Sequence, residues 1–290
     1  MPKQILLLLS AVLVIVLISP PASGQLYPIR LDRHEKAGDR YHLVAMTTET
    51  TKADASVSGQ SRQKSEAVVI VQLTADVTIL EVAANNWATR KWFKVLSSNV
   101  TRAGSSGPLV PSGTEVIATI QNGQTGYLIN NQPVSAELVR DLRLVISLHL
   151  ASVADDELFG TPTPKRIGES WAVGVNAMKK LLKEMNAKGG RQEITGTGTL
   201  EKVEGNHAFV RSSINVRDVL LPIAPELTTE AGEIESELSG RFPLRPRDLT
   251  VEASGRVYLS RAASGVDKDG KKVKLHVVYE SKSRYEIRPL

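Results

Sequence analysis

The sequence predicts a mainly β protein with two helices (α+β). The expected architecture is a curved antiparallel sheet or half-barrel, built from two β-rich halves, with the helices packed on its concave face. Three observations carry that reading. Alternating and apolar segments separated by turn residues occupy most of the chain, as half-buried strands require. Residues 135–154 and 177–187 change to the helical period. A pattern of apolar, Gly, acid, polar and aromatic residues occurs twice, as Ala37-Gly38-Asp39-Arg40-Tyr41 and as Ile167-Gly168-Glu169-Ser170-Trp171, each ahead of a β-rich run. This repetition is consistent with an old duplication.

In chain order, residues 1–24 read as an export signal. Lys3 supplies the positive start, residues 5–18 form an apolar run broken only by Ser10, and Ala22-Ser23-Gly24 offers small residues for cleavage before Gln25. The run is shorter than the roughly 20 residues a membrane-spanning helix needs. The N-terminal half is expected over 25–160 and the C-terminal half over 161–290, the two sharing one continuous fold. Residues 41–51 and 66–82 read as strands, with an exposed Ser-, Ala- and Gln-rich turn over 52–64 between them. Residues 87–101 return antiparallel. A hairpin follows over 114–129, turned at Asn122-Gly123, the strongest short turn signal in the chain.

Ser135 is the expected N-cap of the first helix, with Glu137 favoured in its first turn by the helix dipole. Leu138, Leu142, Val145, His149 and Val153 share one face of that helix. Pro162 and Pro164 then hold the chain extended, so residues 160–175 form a hinge through which no helix runs. Asn176 is the expected cap of the second helix. Met178, Leu181, Leu182 and Met185 fall on its apolar face, and Gly189-Gly190 stop it. Strands are expected over 191–203, 207–219, 233–242, 249–261 and 271–288. Residues 220–232 read as irregular, and 266–270 as the last turn.

Composition excludes much. The chain has no Cys, which removes disulfides, thiolate catalysis, thiolate metal sites and a lipoprotein anchor. Aromatics make up 4%, too few for base-stacking or sugar-stacking platforms. The net charge of +5 is spread along the chain and concentrates on no one segment, so nucleic acid is not an expected partner.

No catalytic set assembles. Gly168-Glu169-Ser170-Trp171-Ala172 falls one residue short of a nucleophile elbow, which needs a strand before the serine and a helix directly after it. Asp267-Lys268-Asp269-Gly270 has the start of a calcium loop without its later ligands. The five histidines share no metal spacing. Asp155-Asp156-Glu157 reads as a solvated helix end. A non-catalytic protein without cofactor or metal is therefore expected.

Gly168-Glu169-Ser170-Trp171, together with Gly196-Thr197-Gly198-Thr199-Leu200, resembles secreted bacterial proteins of unknown function with two β-rich halves. The expected architecture is also similar to the periplasmic lipoprotein-carrier fold, whose sheet and helices enclose a cavity for acyl chains. That resemblance implies an exported, periplasmic or extracellular carrier for a lipid-like or other apolar ligand. Leu142, Val145, His149, Met178, Leu181 and Met185 are the candidate lining, the two methionines as adaptable contacts. The alternative is a structural or protein-interaction component of the cell envelope with no small ligand. On that reading the same residues are ordinary core.

Overall fold

The computed structural model describes residues 24–290 apart from 85, 122, 149–152, 189–191, 246–247, 249 and 267–269. The export run, His149, the Gly189-Gly190 stop and the acids of the last turn lie outside the described residues. The elements in chain order are β1 (Tyr27–Ile29), β2 (Arg40–Val57), β3 (Gln63–Val82), β4 (Ala88–Arg102), β5 (Ser105–Gly107), β6 (Glu115–Gln121), β7 (Gln124–Ile129), β8 (Gln132–Pro133), α1 (Ala136–Val145), α2 (Asp155–Leu158), β9 (Thr161–Lys165), β10 (Ser170–Ala172), α3 (Val175–Glu184), β11 (Glu193–Glu204), β12 (His207–Arg217), β13 (Leu227–Pro243), β14 (Val251–Val266) and β15 (Lys272–Pro289).

Thirteen of these strands form one antiparallel sheet in the order β10-β11-β12-β13-β14-β15-β2-β3-β4-β6-β7-β8, with β5 on β4. The sheet is two meanders joined at one non-sequential pair. There the last strand, β15, lies against the first long strand, β2, from Val273 opposite Val57 to Pro289 opposite Tyr41. The expected antiparallel sheet is present and is not closed into a barrel, with β8 and β10 at its two ends. β1 and β9 pair separately, and Pro162 and Pro164 sit within β9. A two-stranded ribbon has edges on both sides, so the missing proline N–H groups cost no central ladder bond.

Alternation sets the buried face. On β2, Tyr41, Leu43, Ala45 and Thr47 are buried while Arg40, Val44 and Met46 are exposed. Register carries that face to Val77, Ala75, Leu73 and Val71 on β3. Burial on β2 and β15 is confined to one end: β2 has no buried residue after Thr47, and β15 has only Ile287. The covered end lies beneath α1, which packs on β2, β3 and β7, while α3 packs on β11 and α2.

Both copies of the five-residue pattern form the same turn. Gly38 and Gly168 adopt φ of 90° and 84°, where a side chain would be strained. Gly38 N–H donates to the Ile79 carbonyl and Gly168 N–H to that of Leu200, each at 2.8 Å. The acid that follows closes the loop onto the backbone three residues earlier: Asp39 accepts from Lys36 N–H at 2.9 Å and Glu169 from Arg166 N–H at 2.7 Å. The aromatic ring, Tyr41 or Trp171, is then buried.

Several boundaries differ from expectation. The described residues contain three helices, not two, because Asp155-Asp156-Glu157 open the short α2. α1 keeps its Ser135 cap, with Leu138 N–H donating to Ser135 Oγ at 3.3 Å, but stops at Val145 instead of reaching 154. The sheet ends it: Thr47 Oγ1 donates to the Leu144 carbonyl at 2.5 Å and Tyr127 Oη to that of Ile146 at 2.7 Å. Asn176 does not cap α3; Gly174 occupies that position and Asn176 lies inside the helix. Most of 52–64 is strand, since residues 52–57 pair with β15 on one side and residues 52–55 with β3 on the other. The expected irregular segment 220–232 ends at Leu227, where β13 begins its pairing with β14.

Candidate functional site

A cavity of about 350 Å³ lies at the covered end of the sheet, between strands β2, β4 and β15, the end of α1 and the entry segment 31–35. Its volume is at the lower end of the range for small-molecule sites. Leu43, Ala45, Phe93 and Ile287 give it apolar walls from the buried face of the sheet, and Val145 and Ile146 add to them from α1.

The entry segment is fixed by a reciprocal clasp. Leu31 N–H donates to Asp156 Oδ1 at 2.5 Å, and Asp156 N–H donates to Asp32 Oδ2 at 2.9 Å. Burial pushes the Asp156 carboxyl up, Asp32 adds to the push, and the Leu31 N–H restrains it.

The clasp presents Arg33 and Glu35 to the cavity. Lys91 Nζ donates to Glu35 Oε1 at 2.7 Å, and Ala88 N–H donates to Glu35 Oε2 at 3.0 Å. Arg33 Nη2 reaches Glu35 Oε1 at 3.5 Å. Burial alone would raise the Glu35 carboxyl, but Lys91, Arg33 and the Ala88 N–H together hold it below the ordinary carboxylate range. Burial likewise opposes the Lys91 charge, and Tyr41 and Glu35 outweigh it, so the ammonium is stabilised. Arg33 lies over the Tyr41 ring at 5.2 Å and Lys91 at 5.9 Å, a cation–π arrangement. The Arg33 Nη1 is buried with no hydrogen-bond partner among the described residues. Tyr285, also on the wall, has its phenol pushed up to about 12 by burial, with Asp155 adding to the effect.

The expected lining residues do not converge. Val145 lines the cavity, and Leu142 is fully buried one helical turn before it. His149 lies outside the described residues. Met178 is buried, Leu181 half-buried and Met185 46% exposed, all on or at the end of α3, none of whose residues reach this cavity. Ser170 Oγ shares a hydrogen bond with Thr199 Oγ1 at 2.8 Å across the β10–β11 pair.

The charged group was missed from sequence although half of it is readable. Alternation puts Lys91 in phase with Phe93 and Val95, so a lysine stands at a core position of β4. A buried lysine needs an acid. Nothing in the polar entry segment marks Glu35, 56 residues away, as that acid.

No family model matches the chain, and no curated protein matches it. Among solved structures, one described as lipid–protein interactions in lipovitellin overlaps 88% of the chain, with a TM-score of 0.36 and 10% identity. The chain spans 25% of that structure's chain.

Proposed function

We propose that this protein is an exported, non-catalytic binding or carrier module that holds a small amphipathic molecule in the cavity beneath segment 31–35. The cavity carries the reading: a void of about 350 Å³ with apolar walls from the sheet and a buried charged cluster on the same wall has the make-up of a ligand site. The same lining refines the expected apolar ligand, because a purely hydrocarbon molecule would leave the Arg33 Nη1 without an acceptor. The leader at residues 1–24 supports export, and the resemblance to lipoprotein carriers supports carriage.

Native mass spectrometry of protein purified from its own host tests the reading. The expected result is a retained small molecule, lost in Ala45→Phe, which fills the cavity from β2. Native-state protein free of any adduct, with no thermal stabilisation by amphiphiles, would sink the proposal. One observation favours a second reading as an interaction component of the envelope. On the outer face of β2 and β4, Val44, Met46 and Leu96 are 41%, 40% and 39% exposed. Sedimentation of the wild type and of Met46→Lys decides that reading, which expects the wild type alone to associate.

A further inference from the structure

The structure assigns the head group of that ligand: a carboxylate, received by Arg33. This rests on the reading that the cavity binds a small molecule, and it adds which chemistry the molecule carries. Inside the cluster two cations, Arg33 and Lys91, share one buried carboxylate. Both Glu35 oxygens are already engaged, Oε1 by Lys91 and Arg33 and Oε2 by the Ala88 N–H. Asp32, also on the wall, accepts from the Asp156 N–H. Arg33 Nη1 therefore stands buried without an acceptor among the described residues. Buried guanidinium N–H groups are rarely left so, because they lose the hydrogen bonds of water and gain none.

An anion on Arg33 supplies the missing acceptor. The cavity wall carries Arg33, Lys91 and Arg143 against Asp32, Glu35 and Asp155, while Arg284, also on the wall, is paired with Glu252 at 2.8 Å. A single negative charge on Arg33 meets about half the repulsion from Asp32 and Asp155 that a doubly charged phosphate would. A planar guanidinium also matches a planar carboxylate with two parallel N–H donors. Leu43, Ala45 and Phe93 then face the aliphatic or aryl remainder of the acid.

Calorimetric titration with decanoate and with decanol, on the protein as its host processes it, separates head from tail. Decanoate should bind about tenfold or more tightly than decanol, the margin of a charge-assisted pair. Arg33→Gln should erase that difference while leaving decanol unchanged, and Arg33→Lys should restore only part of it, having charge without the fork. If Arg33→Gln does not fold, the wild type suffices: decanoate affinity should fall toward that of decanol as acid protonates the carboxylate. Equal affinity for the two probes, or an Arg33→Gln effect on both alike, overturns the head-group assignment and leaves the cavity reading standing. Failure of both probes to bind overturns both.

Discussion

Trp171 and Gly198 are two sides of one contact. They face each other across the β10–β11 pair, and the indole lies against Gly198 where a Cβ would have to be. The indole N–H donates to the Phe159 carbonyl at 2.9 Å, which also accepts from Ser212 Oγ at 3.4 Å. Trp171→Ala should therefore cost roughly 3–5 kcal/mol, as truncation of a buried aromatic does. Gly198→Ala should cost roughly 1–3 kcal/mol through overpacking, and that penalty should shrink once Trp171 is already Ala. Urea midpoints of the two single variants and the double variant measure the coupling; additive losses would mean the ring and the glycine are independent. Ser170→Ala should barely move the midpoint. A second residue-level test concerns Glu35. Its depressed carboxyl contributes stability that is full above its ordinary value of 4.5 and disappears as pH falls through the lower folded value. Asp156, whose carboxyl is raised, works in the opposite direction and is present in both proteins compared. The stability gap between wild type and Glu35→Gln should thus be wide near neutrality, roughly 3–5 kcal/mol for a broken buried pair, and close in acid. A gap that persists unchanged at low pH would remove the ion pair as its cause.

At the scale of elements, strands were legible where alternation was unbroken, and so was the Ser135 cap of α1, but not the point where that helix stops. The apolar stripe through Leu142 and Val145 continues in sequence to Val153, so periodicity alone extends α1 to 154. What stops it at Val145 comes from two distant strands, through the hydroxyls of Thr47 and Tyr127 on the Leu144 and Ile146 carbonyls. Such a stop leaves no local signal. Thr47→Val or Tyr127→Phe should each cost about 1–3 kcal/mol by leaving a buried carbonyl unpaired. Hydrogen exchange at the end of α1 should speed in both variants. Unchanged exchange there would show that the backbone turns out of the helix without help from the sheet. The segment 52–57 failed in the other direction: its small polar residues resemble a loop, yet pairing on both flanks makes it strand. Ladder bonds to two neighbours override a weak local preference.

For the whole molecule, the decisive pair is β15 with β2. Each half is a meander of neighbours, and among the described residues only this pair joins them within the sheet. A chain ended before Lys272 should lose its cooperative unfolding transition, because β2 and β14 would both become open edges along their length. Circular dichroism through a urea series reads the outcome; an intact, sharp transition in the truncated chain would show that the halves stand alone. The full chain should unfold in one step. The same pair governs timing. Tyr41 meets its partner Pro289 only after every residue between them has been made, so neither meander can lock onto the other before β15 exists. Contacts so remote in sequence form slowly, since the long loop must close before any of them is gained. A polypeptide wired this way keeps the middle of its sheet open until β15 is made, and becomes rigid only when that strand arrives.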